Sequence, residues 1–508
     1  MIQGLRKLAL LGCLTLHVGC GGAPTPAEPA TVPKTTVAKQ TKPATTSVKK
    51  PAAKPRAANE PTTEDPLEKP PRPRRDPPPI LGDLLKTKPG EEELNFYQSA
   101  PRPEIDDAKV AAHGIRKLTG EHLTLYTDLP ASPEIDELPR VFDAAVPQWQ
   151  AYFGVAETKV AKWRIWGYLV QDKAKFQAAG LYPDDLPDFA NGYQRGFEFW
   201  LLEQPTTYYR RHLLLHEGTH AAMYHWLGGA GPPWYCEGMA ELFGTHRWAD
   251  GKLTTAYVPH DKSEVEGWGR VKIIKDAFAT NTALTLPEVL KLPTDAHRQT
   301  PAYAWSWAAA EFFDKHPRYQ RAFRDLRTQT KDVTAEFSTK FLTALKPEVR
   351  TMQDEWQLFV GNCEYGYDVA RNSLDVKPAV SLPAAGAKVD IVADHAWQSS
   401  GYKLEADKTY RLSATGRYQL ASQPKVWWCE PGGVTIRYYR GLPLGMLVAA
   451  VRDDEQPQGI TPLLTPVSIG LGTDFTPKQA GTLWLKINDH PGELSDNVGK
   501  LSVSIVPP

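Results

Sequence analysis

The chain has little cysteine: five in 508 residues, too widely spaced for a disulfide framework or a metal knuckle. It has no net charge, since 59 basic residues balance 59 acidic ones. That balance argues against a nucleic-acid binder, which would show a basic face, so no nucleic-acid partner is expected. The apolar run near the start, Leu8 to Val18, is too short to span a bilayer. No Gly-rich phosphate loop and no internal repeat stand out. Residues 21–80 contain no aromatic residue but 15 of the 45 prolines, which excludes a packed core there.

What is present falls into segments. Arg6 and Lys7 precede the apolar run, and Gly19-Cys20-Gly21-Gly22 follows it. Together they resemble a bacterial lipoprotein signal over residues 1–20, in which Cys20 becomes the lipidated first residue. The resemblance implies an exported protein held to a cell-envelope membrane by its lipid; secretion with nearby cleavage is the competing reading. Residues 21–95 then read as a semi-stiff tether rich in Pro, Lys, Ala and Thr. Residues 100–370 mix strand and helix patterns, strands first and helices after, which predicts an α+β domain. Residues 375–508 hold short β-like runs between turns and predict an all-β sandwich. Of the later cysteines, Cys236, Cys363 and Cys429, the spacing leaves open one bridge with a free thiol.

Chemistry concentrates in "RRHLLLHEGTHAAMYHWLGG", Arg210 to Gly229. On a helix, residues four apart share a face, so His216 and His220 aim at one point with Glu217 beside it. This is the HExxH pattern of two zinc ligands and a general base. Thr206 and Thr207 can cap the helix start, and Gly228-Gly229 can end it. A catalytic zinc needs a third protein ligand. Seventeen residues past His220 stands Glu237, in "PPWYCEGMAELF", with Glu241 four residues on and Pro232-Pro233 suited to a helix start.

The two motifs resemble the gluzincins, and "PPWYCEGMAE" resembles the P-x-W-x-x-E-G-x-A-E segment of peptidase-MA-like bacterial lipoproteins. The resemblance spans roughly residues 115–345 and implies a zincin-like metallopeptidase domain acting on a protein or peptide substrate. It implies His216, His220 and Glu237 as zinc ligands, Glu241 as the orienting partner of His216, and Glu217 as the general base for a metal-activated water. His212 and His225 read as surface or packing histidines, because three ligands suffice. Tyr303 is a candidate donor to a developing oxyanion; the competing reading packs it among Trp305 and Trp307.

The end of the chain, "LWLKINDHPGELSDNVGKLSVSIV", resembles the last strands of calcium-dependent bacterial galactophilic lectins. This implies a galactose-binding-like sandwich with calcium on Asp489, the Glu493 carbonyl, Asp496 and Asn497, a further carbonyl near Leu420, and a carbohydrate ligand. The competing reading is a tight turn without an ion. Two functions follow as expectations: a lipid-anchored zinc peptidase with an accessory calcium- or carbohydrate-binding domain, or a non-catalytic envelope carbohydrate-binding protein on a degenerate zincin scaffold.

Overall fold

The computed structural model describes residues 102–455 and 459–508. The signal segment, Cys20 and the tether lie outside the described residues. The described residues all belong to one compact unit. A helix-rich region, about residues 107–361, precedes a β-rich region, about 380–506.

The first region opens with a five-stranded sheet: β1 (Arg116–Thr119), β2 (Leu123–Thr127), β3 (Ile165–Val170), β4 (Gly192–Arg195) and β5 (Glu198–Leu202). The order is β1-β2-β3-β5-β4. β2, β3 and β5 run parallel, while β1 and β4 are antiparallel edges. Parallel neighbours need a crossover. Helix α1 (Leu138–Phe153) supplies it between β2 and β3, and α2 (Lys173–Ala179) lies between β3 and β4. Strands and helices therefore interleave here, contrary to the expected strands-then-helices order.

Helices dominate from residue 207: α3 (Thr207–Ala222), α4 (Pro233–Gly244), α5 (Arg270–Ala279), α6 (Thr300–Lys315) and α7 (Val349–Gly361). Thr206 caps α3, its side chain accepting from Tyr209 N at 3.1 Å. Every residue of α3 from His212 onward is buried. A helix with no polar face belongs inside a domain. At Gly218 a Cβ would stand 2.6 Å from Phe142, so the glycine lets α3 lie directly on α1. After Ala222 the helix continues as a π-turn, Met223–Leu227, closed by Gly228 at φ 78°.

The β-rich region pairs two antiparallel layers around one core. The smaller orders Gly472–Phe475, Tyr410–Thr415, Lys500–Val506 and Ala387–Val392. The larger runs Gly432–Tyr439, Leu442–Arg452, Gly481–Ile487 and Gln398–Leu404, with the short Val380–Ser381 parallel at its edge. Leu412, Leu447, Leu483, Leu485, Leu501 and Val503 fill the space between. Helix α7 docks on the outer face of the larger layer, where Leu358 packs with Trp397, Val448 and Trp484. At that joint Arg452 Nε lies 2.6 Å from Asp354 Oδ2, and both are buried. Cys236, Cys363 and Cys429 are all free and buried, which settles the open pairing against a bridge. No helix among the described residues is long and apolar enough to cross a membrane.

Candidate metal centre

Helices α3 and α4 pack side by side, and their facing sides bring together the two sequence motifs. His216 Nε2 and His220 Nε2 are 3.1 Å apart. Glu237 Oε2 lies 3.2 Å from the first and 3.4 Å from the second. The three atoms form a nearly equilateral triangle of electron-pair donors, a group that could hold a metal ion. Glu237 Oε2 is buried and has no hydrogen-bond donor among the described residues. A buried polar atom without a partner is rare. A cation among the three would satisfy all of them at once.

Glu241 lies one turn beyond Glu237, and its Oε1 is 3.4 Å from His216 Nδ1, the nitrogen facing away from the triangle. Arg270 from α5 holds the same carboxylate twice, Nε to Oε2 and Nη2 to Oε1, both at 2.9 Å. His212 Nε2 also reaches Glu241 Oε1, at 3.3 Å. His212, His216 and Glu241 thus form a second cluster of ligand type. There the Arg270 guanidinium already supplies the positive charge. His212 is fully buried, in keeping with a packing histidine but tied to the polar network of the centre.

Electrostatics follow the geometry. Burial alone would lower the His216 imidazole, but the Glu237 and Glu241 carboxylates outweigh it and hold it up at about 9. Burial would raise Glu237, and His220 and His216 instead hold it well below the usual carboxylate range. Burial likewise opposes ionisation of Glu241, and Arg270 with His212 reverses that. Glu217 differs: burial raises its carboxyl, and the two imidazoles pull it back only in part. The carboxylates of Glu237 and Glu241, one turn apart on α4, are thus held toward the ionised form, while that of Glu217 on α3 is shifted the opposite way.

Glu217 lies against an edge strand. A Cβ at Gly192 of β4 would stand 2.5 Å from Glu217 Oε1, so the strand backbone runs directly past the carboxylate. Tyr303 opens α6 with its ring 5.8 Å from that of His216. Burial keeps its phenol protonated, well above the usual range. His297 stacks edge-on against Tyr303 at 5.3 Å and donates to or accepts from Ser306 Oγ at 2.9 Å. His225 lies apart, stacked on Phe197 at 4.1 Å and bonded to Trp163 Nε1, as a packing histidine would be.

Of these neighbours, Arg270, His297 and Gly192 were not singled out from the sequence, and none carries a local signal there.

In the β-rich region, Asp489 and Asn497 meet directly: Asn497 Nδ2 donates to Asp489 Oδ2 at 2.8 Å. Burial pushes the Asp489 carboxyl up to about 7. Asn497 Oδ1 is buried without a hydrogen-bond donor among the described residues. Asp496 is not brought to them in the same way, because its Oδ2 accepts from Ser422 N at 3.0 Å. Glu493 follows the turn, its N–H bonded to the His490 carbonyl. Leu420 is buried in the sandwich core. The loop also touches the preceding region: the Pro491 carbonyl accepts from Asp368 N at 3.2 Å and from Asn372 Nδ2 at 2.8 Å.

No family model and no curated protein matches the chain. Among solved structures it is similar to the EclA N-terminal domain, described as a PllA-like lectin, at 18% identity, over 24% of this chain and 95% of that one, with a TM-score of 0.19. At that TM-score the likeness identifies no residue of either site.

Proposed function

We propose that the protein is a zinc-dependent peptidase of gluzincin type. The observation that carries this reading is the triangle of His216 Nε2, His220 Nε2 and Glu237 Oε2, with edges of 3.1, 3.2 and 3.4 Å. Ligands on a tetrahedral zinc with bonds of roughly 2.0–2.1 Å are separated by about 3.3 Å, so the donor set fits without rearrangement. Two imidazoles and a carboxylate are also the ligand types of a catalytic rather than a closed structural site. Zinc bound there would act as a Lewis acid toward a scissile carbonyl and make a water more acidic.

The chain's own residues supply the remainder. Glu217 takes a proton from the attacking water and delivers it to the leaving amine; its raised affinity for protons suits both steps. The Tyr303 hydroxyl stays protonated and donates to the oxygen on which charge develops. Strand β4 is an antiparallel edge beside Glu217, so an extended peptide can add to it by backbone pairing. Glu241, fixed by Arg270, keeps a proton on His216 Nδ1 and leaves Nε2 free to ligate.

In the same reading Cys20 carries a lipid that holds the enzyme at the cell envelope, and the β-rich region is an accessory domain for calcium or carbohydrate. Its fit to calcium is partial. Asp489 and Asn497 offer oxygens, the Asp496 carboxylate is engaged by Ser422, and calcium takes six to eight oxygen ligands. No step is assigned to it. The contact of Pro491 with Asp368 and Asn372 favours a positioning role over an open sugar site.

Bound-metal analysis and cleavage of a broad peptide library test the proposal on wild type and Glu217→Gln. One zinc in both proteins with cleavage only by wild type supports it. Absence of metal, or equal behaviour of the two proteins, overturns it. A glycan array with and without calcium tests the accessory reading.

A further inference from the structure

We infer that Cys236 is a positioning residue for His220, a role that rests on the metal centre proposed above. Cys236 Sγ lies 3.3 Å from His220 Nδ1. An imidazole that ligates through Nε2 carries its proton on Nδ1, and that N–H is a donor. His220 is buried, so the N–H needs an acceptor inside the protein. Among the described residues the sulfur is the atom that meets it.

The arrangement is asymmetric. His216 is backed by the Glu241 carboxylate, which Arg270 neutralises. His220 is backed by a thiol. The contact ties α4 to α3 and limits the rotation of the His220 ring about its Cβ–Cγ bond. Glu237, the next residue after Cys236, contributes the third ligand. One turn of α4 therefore both ligates the ion and aims the imidazole of α3.

Sulfur is a weak acceptor and a buried one is inert, so the cysteine does not itself need to react. A hydroxyl in its place preserves an acceptor; a methyl group does not. The zinc dissociation constants of wild type, Cys236→Ser and Cys236→Ala are measured by competition with a chromophoric chelator. The melting temperature of each zinc-stripped protein is recorded beside them. The expected result is a loss of affinity of about 10- to 100-fold for Cys236→Ala and recovery of most of it in Cys236→Ser, with similar melting temperatures for the stripped proteins. Equal affinities for wild type and Cys236→Ala overturn the inference and leave the metal centre intact. Equal losses in both variants, with lowered melting temperatures, reduce Cys236 to packing and overturn it too. A wild-type protein that takes up no zinc overturns the centre itself.

Discussion

Arg270 and Glu241 face each other in a two-bond pair, each bond 2.9 Å long and both side chains buried. The pair sits directly behind the His216 ring and converts a buried carboxylate into a fixed acceptor for it. Such pairs are sensitive to the loss of one partner, because the other charge is left in the interior. Arg270→Met is expected to destabilise the protein by about 3–5 kcal/mol in urea unfolding and to weaken zinc retention. The double variant Arg270→Met/Glu241→Leu should recover part of the stability but not the zinc. Full stability in the single variant would contradict the pair's role.

Gly192→Ala probes the edge strand. The added methyl would meet the Glu217 carboxylate at 2.5 Å, and that carboxylate is the movable end of its side chain. The expected outcome is a folded, zinc-loaded protein whose peptide hydrolysis falls by about 100-fold or more as the base is displaced. Unchanged hydrolysis would place the reacting water elsewhere.

Glu311 on α6 gives a pH test away from the metal. Burial raises its carboxyl to about 7, and its Oε1 has no hydrogen-bond donor among the described residues. The folded protein keeps a proton that the unfolded chain has already lost, so stability falls as pH rises from the usual glutamate range through 7. Glu311→Gln should remove that decline and stabilise the protein at pH 8 by up to about 3 kcal/mol, with little change at pH 4. Urea titrations at the two pH values measure it, and equal effects at both would contradict the buried, protonated carboxyl.

Asp489 carries the same sign. Its carboxyl is raised from 3.8 to about 7, so its share of stability is lost across that window as pH rises. Asp489→Asn should flatten the slope. A calcium ion at Asp489 would favour the ionised form, so millimolar calcium is expected to raise the wild-type melting temperature at pH 8 and leave Asp489→Asn unmoved. No shift in either protein would assign the loop to packing alone.

The candidate metal centre was readable because its donor residues follow local rules. Four-residue spacing put His216 with His220 and Glu237 with Glu241, and a threonine and two prolines marked the helix starts at Thr207 and Pro233. Both helices have the predicted starts, and they bring the three expected side chains within 3.4 Å of one another. What was not readable depends on contacts between distant segments. Arg270 reaches Glu241 from 29 residues away, and Gly192 on a sheet edge reaches Glu217 on a helix. No periodicity encodes either. The parallel core of the first sheet was missed for a similar reason: each strand looked ordinary, and its direction is set by the helix that returns the chain. In the β-rich region most strands were visible as alternating runs. Gln398–Leu404 and Gly472–Phe475 were not, since glycines and polar residues interrupt the pattern.

The π-turn at Met223–Leu227 bears on how the gene can vary. A π-turn holds one residue more than the α-helical turn it replaces. Deleting a single codon there would let the segment relax to an ordinary α-helical turn and leave the chain beyond it close to its present direction, whereas the same deletion inside α3 would swing everything after it by about 100° around the axis. Gly228 would still sit where the chain reverses toward Pro233. The interval between His220 and Glu237 thus carries its one residue of slack in the π-turn and none in the helix before it.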